Sequence, residues 1–483
     1  NRLRNALSCS SQRHNIATAG EIVDYDPNNF YMQKFNDIKG TWNNHYTTIY
    51  QANLIIDNAH RFEISEEELR PYLLQAYFAK GVAYLYLAMN FGEVPIMKES
   101  TNYGKLPQSP ITEVLDEAEK WALKAMDLPK YEDLVKETPE QRMKQHGSKG
   151  AAAALLAHIY AWKAGVEGKN ECWSKAEEYC RMIIEGEVGT YKLPATPEEV
   201  CINSMHGNSD DAIWEIYYNS NTDGVRGDLL CVGFPIVTTS AYLPHLMNRP
   251  SIFKSTVRSL YDQEDLRREA YFWQTEADSI FLKNINGEII VDTERGKDSI
   301  VSKYDNQAIQ QAFLYKFRYP YYTQNDWSME PDFKGMDQYQ VIWRLSEIYL
   351  LRAECRARQG KANAAEDLNE IRRQAFGNDD HAYPCADDVE KGLTNNLPLA
   401  IFREREKELL HEQHRYFDIV RNGWCYLRGE DSHDYIRKEL AAPYAHLTDQ
   451  DIKDGALYYM LLADCFLNND LIRQNKYWNR RQQ

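Results

Sequence analysis

One hydrophobic period constrains this chain more than any other feature. From Val341 to Ala375 it reads VIWRLSEIYLLRAECRARQGKANAAEDLNEIRRQA. Ile342, Leu345, Tyr349, Ala353 and Ala357 recur at spacings of three and four, which places them on one face of a helix. Gly360 breaks that helix, and Ala365, Leu368, Ile371 and Ala375 resume the period. Small residues at Ala353, Ala357 and Ala365 let two helices cross closely. A helix pair of this kind cannot bury its apolar face alone and must stack on another, as tetratricopeptide repeats do. An ordinary helical hairpin in an unrelated helical enzyme fits the same pattern.

The rest of the chain supplies partners for such a pair. A helix is expected from Thr41, with Trp42, Tyr46, Ile49, Asn53 and Ile56 sharing a face. The spacing predicts a long one from Ser65 to Met89, opened by the capping box Ser65-x-x-Glu68 and stopped by Gly92 and Pro95. Ser109-Pro110 leads into an amphipathic helix over Ile111–Met126. Ala-rich Lys149–Trp162 and its partner Trp173–Ile184 form the next pair. Pro398 opens a further helix through LPLAIFREREKELLHEQHRYFDIVRNG. Phe402, Leu409, Tyr416 and Phe417 mark its inner face, and Glu404, Arg405, Glu408, Arg415 and Asp418 offer ion pairs.

Between 195 and 335 the helical period fades, and Gly, Asn, Asp, Pro and aromatic residues punctuate short apolar runs. DAIWEIYY reads as a strand; EDLRREAYFWQ and FLYKFRYPYY read as a short helix and strand, in either order. The expected fold is therefore mainly α: a tetratricopeptide-like helix-pair scaffold with a large, irregular, loop-rich lobe containing short strands. We expect one interlocked unit over 1–483. It comprises N-terminal helix pairs (41–190), the lobe (191–335), a C-terminal helix pair with a docking helix (336–424) and an irregular C-terminal segment (425–483). Loops held on a rigid scaffold are where binding residues concentrate, so the lobe is the expected ligand site.

Composition narrows the function. The 56 basic residues are outnumbered by 72 acidic ones, a net charge of −16, which argues against nucleic-acid binding. No apolar run approaches the roughly 20 residues of a membrane-spanning helix. Nine cysteines are scattered without zinc-ligand spacing, and Cys180 and Cys355 fall inside helical patterns as buried thiols. Dinucleotide-binding, P-loop and nucleophile-elbow motifs are absent. His411-Glu412-Gln413-His414 sets two histidines three apart, which could face one metal, but the flanking charges offer structural partners instead. No metal or other cofactor is therefore expected. Carboxylate pairs such as Asp210-Asp211 and Asp387-Asp388 are too common among so many acids to nominate a glycosidase. The 33 tyrosines and 10 tryptophans are amphipathic rings suited to stacking sugars or peptides, although most should fill the interior.

Four segments follow one another in order: Trp42-x3-Tyr46-x2-Ile49-x2-Ala52-Asn53; Phe91-Gly92-x-Val94-Pro95; then Arg344, Glu347, Tyr349, Leu350, Ala353 and Glu354; and Glu404-Arg405-x2-Glu408-Leu409-x2-Glu412-x-His414-Arg415-Tyr416-Phe417-Asp418. Together they resemble the SusD/RagB family. The terminal Asn469-x-Leu471-x2-Gln474-Asn475 is similar to the family's ending but lacks its Pro-Gly, having Lys476 and Tyr477. The resemblance implies a surface-exposed outer-membrane lipoprotein without enzymatic activity. Such a protein binds oligosaccharide or polysaccharide and delivers it to a TonB-dependent outer-membrane transporter. Family members begin with a signal peptide and a lipidated cysteine, so this chain is expected to start after or within the first helix, its lipid anchor lying outside it. The resemblance also implies that the charged Glu404–Asp418 segment is structural, with buried ion pairs that fix how the last helix docks.

The ligand is expected on aromatic lobe residues: Trp273, Tyr304, Tyr321, Tyr322 and Trp327, with Asn325 and Asp326 as polar partners. Asp24, Tyr25 and Tyr31 are second choices, because the family's N-terminal loop often lines the glycan face. Tyr319 and Trp273 also suit the interior of the lobe. Capture of peptides, as by relatives of the RagB type, is the alternative; a tetratricopeptide scaffold for protein partners fits less well, since it needs no inserted lobe, and an enzyme fits least.

Overall fold

The computed structural model describes residues 38–102, 104–135, 143–218, 252–273, 275–276, 311–323, 332–440, 445–461, 465 and 469–480. Five helices form the first half: α1 (Ile38–Asp57), α2 (Glu66–Phe91), α3 (Ile111–Ala125), α4 (Lys149–Glu167) and α5 (Cys172–Ile184). Each packs on the next. Their ends follow the local chemistry. Ser65 and Glu68 close a reciprocal capping box on α2, and Gly92, at φ +72°, ends it. Ser148 caps α4 and left-handed Gly168 ends it. Close crossing needs small residues: a Cβ on Gly81 would lie 3.0 Å from Leu155 and 3.2 Å from the Ala122 nitrogen. The alanines of α4 are buried on every side, because α3, α5 and a later helix over Arg415–Leu427 all press against it.

The stack continues after a long excursion. Helices α6 (Leu345–Arg358) and α7 (Ala364–Phe376) form the pair expected from the sequence, broken at Gly360 with φ +68°. Helix α6 docks directly on α5. Glu177 of α5 ties that joint, receiving Arg356 at 3.1 Å and Gln359 at 2.8 Å. Nine short strands are numbered along the described chain; β1 (Val94–Pro95) and β2 (Gln108–Ser109) lie in the earlier α2–α3 connection, and seven lie within the excursion. The others are β3 (Ala212–Ile216), β4 (Ile252–Phe253), β5 (Phe272–Trp273), β6 (Gln311–Leu314), β7 (Pro320–Thr323), β8 (Asp332–Met336) and β9 (Gln340–Arg344). They pair antiparallel as β3–β9, β4–β6–β5 and β7–β8. The EDLRREAYFWQ run is helical over Arg267–Tyr271 before β5, and the FLYKFRYPYY run forms the end of β6 and the start of β7.

Two expectations are corrected. Val341–Arg344 belongs to β9, so Ile342 is not on the α6 face; this buried, branched and aromatic run pairs with β3, and a short apolar run does not reveal its own period. The helix expected from Pro398 is two helices, α8 (Leu397–Glu408) and α9 (Arg415–Leu427). The turn between them holds His411 at φ +61° and Gln413 at φ +71°. The C-terminal segment, expected to be irregular, contains short helical turns at Tyr435–Glu439, Asp449–Lys453 and Lys476–Asn479.

Buried ion pairs lock α8 and α9 to the rest of the molecule. Arg344, at the end of β9, reaches Glu412 at 2.7 Å and Glu408 at 2.8 Å. Lobe residue Lys316 reaches Glu412 at 2.5 Å, and lobe residue Arg267 reaches Glu404 at 2.7 Å. Arg372 of α7 takes the other side of Glu404 at 3.0 Å. On α6, Glu347 receives Arg405 at 2.9 Å, and Glu354 receives Arg421. All of these side chains are buried. The charged segment is thus structural, as the family resemblance implied.

Burial alone would keep the Glu404 and Glu412 carboxyls protonated. Arg267 and Arg372 around Glu404, and Arg344 and Lys316 around Glu412, outweigh it and hold both at about 2. Burial also lowers two neutral histidines, His45 to about 3 and His414 to about 4. Each of these groups binds its proton more readily in the unfolded chain, so each contribution to stability is lost on acidification. The thermal midpoint is expected to fall as pH drops below about 6.5, where unfolded histidines charge, and more steeply below about 4.5, where unfolded carboxyls protonate. A midpoint constant from pH 7 to 3 would contradict the network. Arg344→Met leaves Glu408 and Glu412 short of a counter-charge and is expected to cost about 3–5 kcal/mol in chemical denaturation; a loss under 1 kcal/mol would contradict it.

Candidate functional site

Most of the ligand residues expected from the sequence fall outside the described residues: Tyr304, Asn325, Asp326, Trp327, Asp24, Tyr25 and Tyr31. Trp273 and Tyr322 lie in β5 and β7, where their backbone alone is described. Tyr321 is in β7 and half-buried. The pairing of β7 with β8 continues one step beyond the strand, where the Asp337 nitrogen donates to the Tyr319 carbonyl at 2.6 Å. Strand alternation therefore sets Tyr319 and Tyr321 on one face.

Tyr319 is not lobe interior. It is half-buried, its hydroxyl donates to the Ile202 carbonyl at 2.8 Å, and its ring stacks on exposed His206 at 4.0 Å. The Tyr339 nitrogen donates to the His206 carbonyl at 3.0 Å, and the Tyr339 ring meets Tyr217 edge-on at 4.9 Å. Tyr217 follows β3 and Tyr339 precedes β9, so the Ile216–Gln340 register brings them together. Two ring pairs, His206–Tyr319 and Tyr217–Tyr339, are thus joined through the Tyr339–His206 backbone hydrogen bond into an aromatic rim. Gly207 is required within it, since a Cβ there would sit 2.5 Å from the Tyr339 ring. Sequence reasoning did not nominate His206, Tyr217 or Tyr339; the signal was the aromatic residue just outside each end of the β3 and β9 runs.

The rim is held from behind. Arg318, next to Tyr319, donates to the Ala270 carbonyl at 2.6 Å and pairs with Glu198 at 2.9 Å. Beside it lies a groove of about 380 Å³, to which Lys192, Asn203, Asn208 and Asp210 contribute polar groups. Burial raises the Tyr319 hydroxyl, and burial with the Glu215 and Tyr217 neighbours raises that of Tyr339 to about 12. Both phenols stay protonated at neutral pH; that of Tyr319 gives its one proton to the Ile202 carbonyl and keeps its oxygen as an acceptor. Partial burial lowers His206, with Asp337 opposing, so its ring is neutral on Tyr319. Half-exposed rings beside polar groups can stack on an apolar molecular face while pairing with its hydroxyl or amide groups.

The candidate metal motif does not assemble a site. His411 meets the Phe317 ring edge-on at 5.6 Å, and Glu412 is held by Arg344 and Lys316. Among the described residues no group of three or more His, Cys, Asp or Glu could hold a metal ion, and no described helix is long and apolar enough to cross a membrane.

Residues 4–161 match a SusD-like family described as starch-binding and associating with the outer membrane, and residues 202–478 match the SusD family. The chain is 24% identical over 415 residues to a SusD-like protein of Formosa agariphila, covering 81% of this chain and 71% of that one. Its fold is similar to the crystal structure of a SusD homologue from Bacteroides thetaiotaomicron, with a TM-score of 0.69 at 20% identity, covering 99% of this chain and 96% of the other. It is similar also to surface glycan-binding protein A of Bacteroides uniformis, with a TM-score of 0.61 at 19% identity, covering 90% and 84%. A nuclear magnetic resonance titration is expected to place the His206 midpoint below 6.5, and a midpoint above it would contradict the stacking of its ring on Tyr319.

Proposed function

This chain belongs to the SusD family, and we propose on that footing that it captures oligosaccharide or polysaccharide at the cell surface and delivers it to a TonB-dependent outer-membrane transporter. The observation that carries the reading is the aromatic rim. Sugars offer apolar C–H faces to half-exposed rings and hydroxyls to nearby amides, carboxylates and lysines. The His206–Tyr319 stack and the Tyr217–Tyr339 pair supply such faces, and the adjoining groove supplies the polar groups. The described name of the matching family, and that of the similar Bacteroides uniformis protein, agree with a glycan ligand.

The role is binding without chemistry. The carboxylates of the charged segment are committed to buried guanidinium and ammonium groups, which suits a structural clamp and not a proton donor. Affinity is modest, since ordering a flexible glycan costs entropy that stacking only partly offsets. The helix stack frames the lobe and presents the surface that docks the transporter. A lipid on the N-terminal side would hold the protein on the outer membrane. Trp327 and Tyr304, which lie outside the described residues, stay candidate ligand contacts in this reading.

Calorimetry with purified polysaccharides tests it. At least one neutral polysaccharide is expected to bind, with Tyr319→Ala and Tyr339→Ala each weakening it about tenfold at an unchanged melting midpoint. Binding of peptides and of no polysaccharide would overturn the reading in favour of a peptide-uptake subunit.

A further inference from the structure

A second cleft, of about 550 Å³, opens between the short lobe helix Lys254–Leu260 and helices α7 and α8. That size falls within the range of small-molecule pockets, about 300–1,000 Å³. Leu260, Leu393 and Leu399 give it an apolar wall. Asp262, Asp387 and Lys391 also line it. The Lys391 ammonium lies 2.9 Å from Asp262 and 3.9 Å from Asp387, and the Lys407 ammonium lies 4.0 Å from Asp262. Burial disfavours the charge on Asp262, but Lys391 and Lys407 outweigh it and hold that carboxyl below the usual range. Burial, together with the Asp262 carboxylate, pushes Asp387 up. Two carboxyls, Asp262 and Asp387, and two ammonium groups, Lys391 and Lys407, therefore sit together with little net charge.

The deeper charges of the cleft are matched as well. Arg372 holds Asp388 at 2.7 Å and Glu404 at 3.0 Å, and Glu404 is shared with Arg267. An ionic ligand would have to break one of these pairs and leave a desolvated ion unmatched, which costs more than the new contact returns. A neutral polyhydroxyl ligand would not. Each hydroxyl both donates and accepts, so it can bridge a carboxyl and an ammonium without displacing either. Its C–H faces can cover the leucine wall.

We propose that this cleft is a second ligand site, separate from the aromatic rim, which takes a compact neutral sugar, a monosaccharide or disaccharide. It shares with the preceding reading the class of ligand and nothing else. Ser259 lines the mouth and is exposed, as is Lys391, so both can be replaced with the fold kept.

The test is calorimetric titration of the full chain with glucose, galactose, mannose, xylose, maltose and cellobiose, in the wild type, Ser259→Trp, Lys391→Ala and Tyr319→Ala. At least one of these sugars is expected to bind at millimolar affinity. Ser259→Trp fills the cleft and abolishes that binding, Lys391→Ala weakens it about tenfold, and Tyr319→Ala leaves it unchanged. If one cleft variant lowers the melting midpoint, the other decides. The proposal is overturned if none of the six sugars binds, if binding survives a stably folded Ser259→Trp or is untouched by Lys391→Ala, or if Tyr319→Ala removes it. Polysaccharide binding measured in the same variants separates the two claims. Polysaccharide bound with no sugar in the cleft refutes the cleft alone, and a sugar in the cleft with no polysaccharide bound refutes the rim reading alone.

Discussion

The arrangement depends on one buried set of charges, the row of carboxylates and guanidinium groups along α8 and α9. Ions removed from water must be matched or they unfold the protein around them. Here each match comes from a different part of the chain. Arg267 and Lys316 arrive from the lobe, Arg344 from the end of β9, Arg372 from α7, and Glu347 and Glu354 from α6. Hydrophobic contact tolerates sliding; a carboxylate with two oxygens and fixed donors does not. The pairs therefore select one seating of the lobe on the helices.

That seating has a consequence for binding. The helix stack runs from α1 to α5 and resumes at α6, with the excursion closed by the β3–β9 ladder. Arg344 ends β9 and anchors in the charge network, so the ladder is tied to α8 and α9 at the residue where α6 begins. Tyr217 and Tyr339 stand at the opposite end of the same ladder. A rim built on such a support is ordered before any ligand arrives, which lowers the entropy lost on binding. The same lobe–scaffold joint leaves the leucine-walled cleft beside α7 and α8.

Much of the scaffold was legible in the sequence because its signals are local. The capping box at Ser65, the proline at Pro110 and the glycine at Gly360 each act within a turn of the chain. The charged segment was legible as structural because it resembled a family motif; its partners were not, since Arg267 and Lys316 lie far away in sequence. The errors have the same origin. Val341–Arg344 carried a helix-compatible pattern but gained more from pairing with β3. The break between α8 and α9 falls at His411 and Gln413, residue types that do not announce a left-handed turn. Of the aromatic lobe residues expected to hold ligand, Tyr321 is half-buried on the same strand face as Tyr319. Yet His206, Tyr217 and Tyr339 meet through a ladder between distant strands, which no local pattern encodes.

The central claim is that ligand settles on a rim held still by that ladder. Amide hydrogen exchange of the full chain, with and without a saturating polysaccharide, tests it most directly. Exchange is expected to slow in segments 203–208, 317–321 and 337–341, while α1 to α5 exchange as before. Protection confined to the helix stack, with the rim segments unchanged in saturating polysaccharide, would contradict the account.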